Sequence, residues 1–200
     1  MNRVIIIDVG THEGQELQLF QTDYRRYIFF AYVREIVLSI VKSKSYRFPR
    51  LKEYLNIKAS LNFIHKADIK TICVEPNVRL HSSKVYNNAD GVFVAGIAGG
   101  NGVELKRLYL LGENKKGQGS SIFESKKGIR EDNYDLVTII GSEKLADIIN
   151  DTFTISISDV IVIRINAEGV EDDVIYGLSK KLHSNINLVM GSLKDVEDLK

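Results

Sequence analysis

Arg3-Val4-Ile5-Ile6-Ile7-Asp8-Val9-Gly10-Thr11-His12-Glu13-Gly14 runs from an apolar, β-branched stretch into an acid and then a turn carrying two glycines. Val4 to Ile7 has no polar face, so it reads as a strand buried on both sides, the pattern of a parallel sheet covered by helices. Gly10 and Gly14 let the backbone turn sharply and approach a ligand with no Cβ in the way. Such a strand and turn open a nucleotide-type cofactor site, or form an ordinary strand-to-helix connection of an α/β protein.

Lys70-Thr71-Ile72-Cys73-Val74-Glu75-Pro76-Asn77 is a second short apolar strand that also ends in a carboxylate. Open parallel sheets bind ligands at the carboxyl ends of their strands, where Glu75 can accept hydrogen bonds from ribose hydroxyls. A dinucleotide fingerprint needs three glycines as G-x-G-x-x-G and an acid about 20 residues further on. Here the first acid precedes the first glycine, so NAD is the weaker reading. S-adenosylmethionine fits better: Asp8 lies near its amino-acid end or orders the turn, and Glu75 holds the ribose.

Asp159-Val160-Ile161-Val162-Ile163-Arg164-Ile165-Asn166-Ala167-Glu168-Gly169-Val170-Glu171 resembles the Lys-Ile-Asp-Val-Glu-Gly-Ala-Glu segment of FkbM-type methyltransferases. The Asp8-Val9-Gly10 opening, the Glu75-Pro76-Asn77 segment, Gly119-Ser120-Ser121-Ile122 and Val137 to Ile140 with the helical stretch after it are similar to that family too. The resemblance implies a Rossmann-like class I methyltransferase fold, with a mostly parallel sheet and helices on both faces. It implies S-adenosyl-L-methionine as cofactor and a hydroxyl of a sugar-containing, glycan or other small molecule as acceptor. By position it assigns Asp8, Gly10, Thr11, His12, Gly14, Glu75, Pro76, Asn77 and Gly96 to the cofactor, Glu168, Glu171 and Asn166 to catalysis, and Ser120 and Ser121 to the acceptor.

Each assignment has a plainer alternative. Glu171 caps the helix that follows, Glu168 bonds turn amides, Ser120 and Ser121 belong to a surface loop, and the glycines from Gly96 to Gly102 form a hairpin turn into the next strand. The family carries Lys-Ile-Asp where this chain has Arg164-Ile165-Asn166, and an amide is neither a base nor a charged metal ligand. The stretch Asn187 to Leu193 itself offers no carboxylate where the family has a late acid, and the last antiparallel strand of the fold is expected to be missing. These departures motivate a rival reading, a cofactor-binding partner or regulatory protein without turnover, and a methyltransferase acting on RNA is the third.

With 200 residues, 44% of them hydrophobic, the chain suits one domain with one core. Strands are expected near 3–9, 70–75, 91–98, 104–111, 135–140, 159–166 and 186–190, a loop over 112–128, and helices over 145–150 and 172–182. The stretch 21–66 is the departure from a single connecting helix. It carries ten lysines and arginines against three acids, interleaved with aromatics, although the net charge of the whole chain is only +1. It reads as a helical layer with a solvated basic face, as a platform for an anionic acceptor through Arg47 and Arg50, or as a surface for RNA or a membrane. The near-neutral total disfavours nucleic acid.

Cys73 is the sole cysteine and falls in an apolar strand, so packing is its expected role and a reducing compartment its expected setting. The chain starts in its first strand with no leader pattern, and no apolar run reaches the roughly 20 residues that span a bilayer. A cytoplasmic protein is therefore expected. The four histidines have no metal-site spacing, and His65, His81 and His183 are expected at surface positions on helix ends.

Overall fold

The computed structural model describes residues 3–14, 17–21, 33, 67–111, 120, 122, 129–167, 169–182 and 186–191. Eight strands are among them: β1 Arg3–Val9, β2 Asp68–Val74, β3 Gly91–Phe93, β4 Gly96–Ala98, β5 Val103–Leu111, β6 Ile129–Gly141, β7 Val160–Ile165 and β8 Ile186–Gly191. The helices are α1 Gln18–Gln21, α2 Lys84–Asn87, α3 Ser142–Phe153 and α4 Glu171–Leu182, with a 3-10 turn at Val78–Leu80. The basic stretch 21–66 lies outside the described residues except for Gln21 and Val33, as does most of 112–128 and all that follows Gly191. None of the described helices is long and apolar enough to cross a membrane.

Five strands form one parallel sheet in the order β3-β2-β1-β7-β8. Alternation along β1 explains how it is covered. Ile5, Ile7 and Val9 point into a core shared with Leu145, Ile149, Val174 and Leu178 of α3 and α4. Val4 and Ile6 point the other way, onto Leu17, Phe20, Leu80, Val85 and Tyr86. Both faces of β1 are fully buried, which is why its sequence shows no polar stripe. The protein is thus an α/β fold with a parallel five-stranded sheet between helical layers.

The expected strand over 91–98 is two strands in two sheets. β3 ends at Phe93, and after Val94 and Ala95 the chain enters a second sheet of order β4-β6-β5, where β4 runs parallel to β6 and β5 antiparallel to it. The hairpin expected at Gly96 to Gly102 is accordingly not formed, because β6 lies between β4 and β5. The glycines serve the start of α3 instead: Gly141 N–H donates to the Gly102 carbonyl at 2.7 Å and Glu143 N–H to the Gly100 carbonyl at 2.9 Å. This helix is also longer than the stretch read from the apolar pattern.

α3 and α4 cross where Gly177 meets Ser142. A Cβ on Gly177 would lie 1.8 Å from Ser142 Oγ and 2.8 Å from Ser142 Cβ, closer than atoms can approach. Lys180–Glu143 and Lys181–Asp147 ion pairs bridge the same two helices at the surface. Gly177→Ala gains about 1 kcal/mol of helix propensity, yet overpacking typically costs about 1–3 kcal/mol. Net destabilisation is expected by urea unfolding, and Ser142→Gly in the same chain should recover part of it.

At the amino end of β1, Arg3 makes a two-pronged contact with Asp159, just before β7. Bonding to Arg3 holds the Asp159 carboxyl below its ordinary 3.8. A lowered folded-state value contributes stability that is present above the unfolded value and is lost as pH falls through the folded one. Asp159→Asn should therefore lower stability near neutrality, and its deficit relative to wild type should shrink as the pH is brought below about 4. Urea titrations across that range measure both slopes.

Candidate functional site

The strand order reverses between β1 and β7, since β2 and β3 lie on one side of β1 while β7 and β8 lie on the other. Ligands of open parallel sheets bind outside the carboxyl ends of the strands at such a point. Three turns meet there: Gly10–Gly14 after β1, Glu75–Asn77 after β2, and the segment beginning at Asn166 after β7.

The first turn is wound through left-handed residues. Gly10 and Gly14 have φ of +70° and +69°, and His12 between them has φ of +51°. For histidine this conformation is uncommon and costs of order 1–3 kcal/mol unless its surroundings fix it. Four groups do so. His12 N–H donates to Glu75 Oε2 at 2.9 Å, Tyr86 O–H donates to the His12 carbonyl, and the N–H groups of Gly10 and Thr11 both donate to the Val74 carbonyl. Thr11 Oγ1 donates to the Asp8 carbonyl and accepts from Val74 N–H.

Glu75 is buried and its second oxygen, Oε1, accepts from Asn77 N–H at 2.9 Å. Each carboxylate oxygen thus takes one backbone donor and keeps a lone pair for another. Asn77 accepts from Arg79 N–H through its side chain and caps the 3-10 turn. His81, expected at a surface position, is half-buried: its ring stacks on Tyr86 at 4.4 Å and its Nε2 meets the Glu75 carbonyl at 3.1 Å. Glu75, His12, Tyr86 and His81 therefore close a ring of contacts between the first two turns. Burial, before the charge of Glu75, pushes the Tyr86 hydroxyl far up, so it is a neutral donor.

Asp8 does not face an open cleft. It is 1% exposed and Arg164 Nη1 donates to its Oδ1 at 3.0 Å and to the Gly10 carbonyl at 2.9 Å. Of the two roles expected for Asp8, the one seen is ordering the turn. Next to it in the sheet, Cys73 has its thiol pushed up to about 12, by burial first and by Asp8 second, which fits a packing residue and no nucleophile. Gly10 also allows close approach of the neighbouring turn, because a Cβ there would lie 2.3 Å from the Asn166 carbonyl oxygen.

The other expected residues contribute mainly backbone and packing contacts. Asn166 is exposed and bonds β1 through its backbone N–H to the Val9 carbonyl. Glu171 opens α4 and its Oε2 accepts from Gly169 N–H at 2.7 Å, an amide of the turn before the helix. Gly96 packs under Ile139, 2.6 Å from a would-be Cβ, with Pro76 on its flank. Gly14 fits against Val85 in the same manner. Ser120 is half-buried, whereas Glu168, Ser121, Arg47 and Arg50 lie outside the described residues. Among the described residues no group of three His, Cys, Asp or Glu side chains is arranged to hold a metal ion.

Three features of the site went unread in the sequence: Arg164 as the partner of Asp8, Tyr86, and His81. Only the first left a usable signal. Val4-Ile5-Ile6-Ile7-Asp8-Val9 and Val160-Ile161-Val162-Ile163-Arg164-Ile165 share one pattern with opposite charges at the same place, and the two strands pair in that register. No family model, no curated protein and no solved structure matches the chain.

Removing one member of a buried ion pair strands the other charge and typically costs about 3–5 kcal/mol, while replacing both by apolar residues is near neutral. Arg164→Met should thus lose a large part of a typical domain stability, and Asp8→Leu together with Arg164→Met should recover most of the loss. A double-mutant cycle by chemical unfolding gives the coupling directly.

Proposed function

We propose that this protein is an S-adenosylmethionine-dependent O-methyltransferase that modifies a hydroxyl of a sugar-containing or other small acceptor in a reducing, cytoplasmic setting. The observation that carries the reading is the Glu75 carboxylate beside the left-handed Gly10–Gly14 turn, at the reversal point of a parallel sheet. The residues suit the nucleoside half of the cofactor. Glu75 retains acceptor capacity for two ribose hydroxyls, and His12 Nε2 is a buried ring nitrogen with no hydrogen-bond partner among the described residues, in keeping with a polar ligand atom at that place. Arg164 engages one oxygen of the Asp8 carboxylate, so the Asp8–Arg164 pair and not a lone carboxylate would border the methionine end.

The bound cofactor supplies an electrophilic methyl group, and the protein's part is to set an acceptor oxygen in line with it, which alone provides much of the acceleration. Glu171, the first residue of α4 after β7, would orient an acceptor hydroxyl through the carboxylate capacity that Gly169 N–H leaves, with Glu168 three residues earlier in sequence as the candidate base. Asn166 can donate or accept a hydrogen bond there but cannot take the proton.

A second reading, cofactor binding without turnover, draws on the exposed amide of Asn166 where the resembled family has an acid, and on the engagement of Asp8 by Arg164. Calorimetry with S-adenosylmethionine separates these. Glu75→Ala is expected to weaken binding roughly ten- to a hundredfold, the cost of a charged hydrogen-bonding partner, with circular dichroism confirming that the fold is kept. Absence of binding to the wild-type chain would sink both readings. Binding without methyl transfer to a panel of glycans and small hydroxyl compounds would leave only the second.

A further inference from the structure

β5 and β6 form a two-stranded ribbon whose two faces differ. Leu108, Leu110, Val137 and Ile139 face inward to a small core with Ala98 and Ile122. On the opposite face Val103, Leu105 and Leu136 are 61%, 72% and 67% exposed. Arg107 lies 4.6 Å over the ring of Tyr134 on that same face. Among the described residues β5 pairs with β6 alone, so its outer edge offers a row of backbone donors and acceptors next to apolar side chains. Edges of this kind are templates for pairing with another strand.

The charges on β5 select the occupant. Glu104 and Lys106 flank Leu105, both are partly exposed, and in the single chain they pair with each other at 2.8 Å. We propose that two copies of this chain associate edge to edge through β5, antiparallel about a two-fold axis at Leu105. In that register Glu104 faces Lys106 of the second copy and Lys106 faces its Glu104, so two cross-strand ion pairs form. Leu105 meets Leu105, and Val103 lies against the aliphatic stem of Arg107. A two-fold axis normal to the sheet preserves its faces, so the centre can move only from one residue to another. Centres on Glu104 or Lys106 put like charges opposite each other, and a centre on Arg107 sets Lys106 against Leu108. The Leu105 centre is the one that satisfies both charges and joins the apolar stripes of two copies into one band. Opposite-charge pairs directly across a sheet stabilise it and like pairs destabilise it.

Sedimentation equilibrium of the full chain tests this. Wild type should show a concentration-dependent monomer–dimer equilibrium. Glu104→Lys and Lys106→Glu each convert two attractive pairs into two repulsive ones and should weaken the dimer about tenfold or more. The double reversal, Glu104→Lys with Lys106→Glu, restores complementarity and should restore the dimer. Melting temperatures of the three variants at low concentration check that the monomer fold is intact. A wild-type chain that stays monomeric, a dimer indifferent to the single reversals, or a double reversal that fails to re-associate would each overturn the proposal, and the first of these would point to a different protein as occupant of the ribbon.

Discussion

The pairing of β1 with β7 organises everything else. At one end of the pair Arg3 meets Asp159, and at the other Asp8 meets Arg164, so the order of charges on one strand is inverted on its neighbour. Parallel alignment in the observed register satisfies both contacts. Antiparallel alignment would set arginine against arginine and aspartate against aspartate, and a slip of one residue would turn every side chain to the wrong face. Because both faces of the two strands are apolar and buried, hydrophobicity alone says little about direction or register. The two ion pairs supply that information, at the expense of desolvating Asp8 and Arg164.

What stands above this strand pair is a turn whose shape is imposed from outside. His12 sits in a conformation that histidine does not favour, and it is held by contacts from the turn after β2 and from α2, while β2 itself bonds the neighbouring Gly10 and Thr11. Glu75 is the common element, since its carboxylate takes donors from both turns and its carbonyl receives His81. Any ligand that uses Glu75 therefore meets a carboxylate already fixed in orientation, which lowers the entropy of engaging it. Replacing Glu75 acts on the turn as well as on a ligand, and binding and fold have to be measured together.

The strands were legible from the sequence because continuous β-branched runs bounded by turn residues have few other solutions. Val4 to Ile7 and Val160 to Ile163 are the clearest cases. The division of 91–98 between two sheets was not legible, because Val94 and Ala95 carry no turn signal and only the competition between β2 and β6 for partners splits the run. The glycines from Gly96 onward suggested a hairpin by local chemistry, yet the strand that pairs with both sides of that turn lies some thirty residues further on. At the site, Glu75 and the Gly10 turn could be placed by their position at strand ends. Tyr86 and His81 could not, since their contribution arises from a 3-10 turn and a short helix whose positions depend on tertiary packing.

The ion pair between Asp8 and Arg164 spans 156 residues of chain. During synthesis from the amino end, β1, β2 and β3 are all made before β7 exists, and β1 is central, so its second edge has no native partner until most of the chain has left the ribosome. Closing so long a loop is entropically expensive and puts the decisive contact late. Until β7 is made, one edge of β1 and the Asp8 carboxylate have no native partner. A fold whose register is written in two distant charge pairs gains a distinct end state and accepts a slow, exposed route to it.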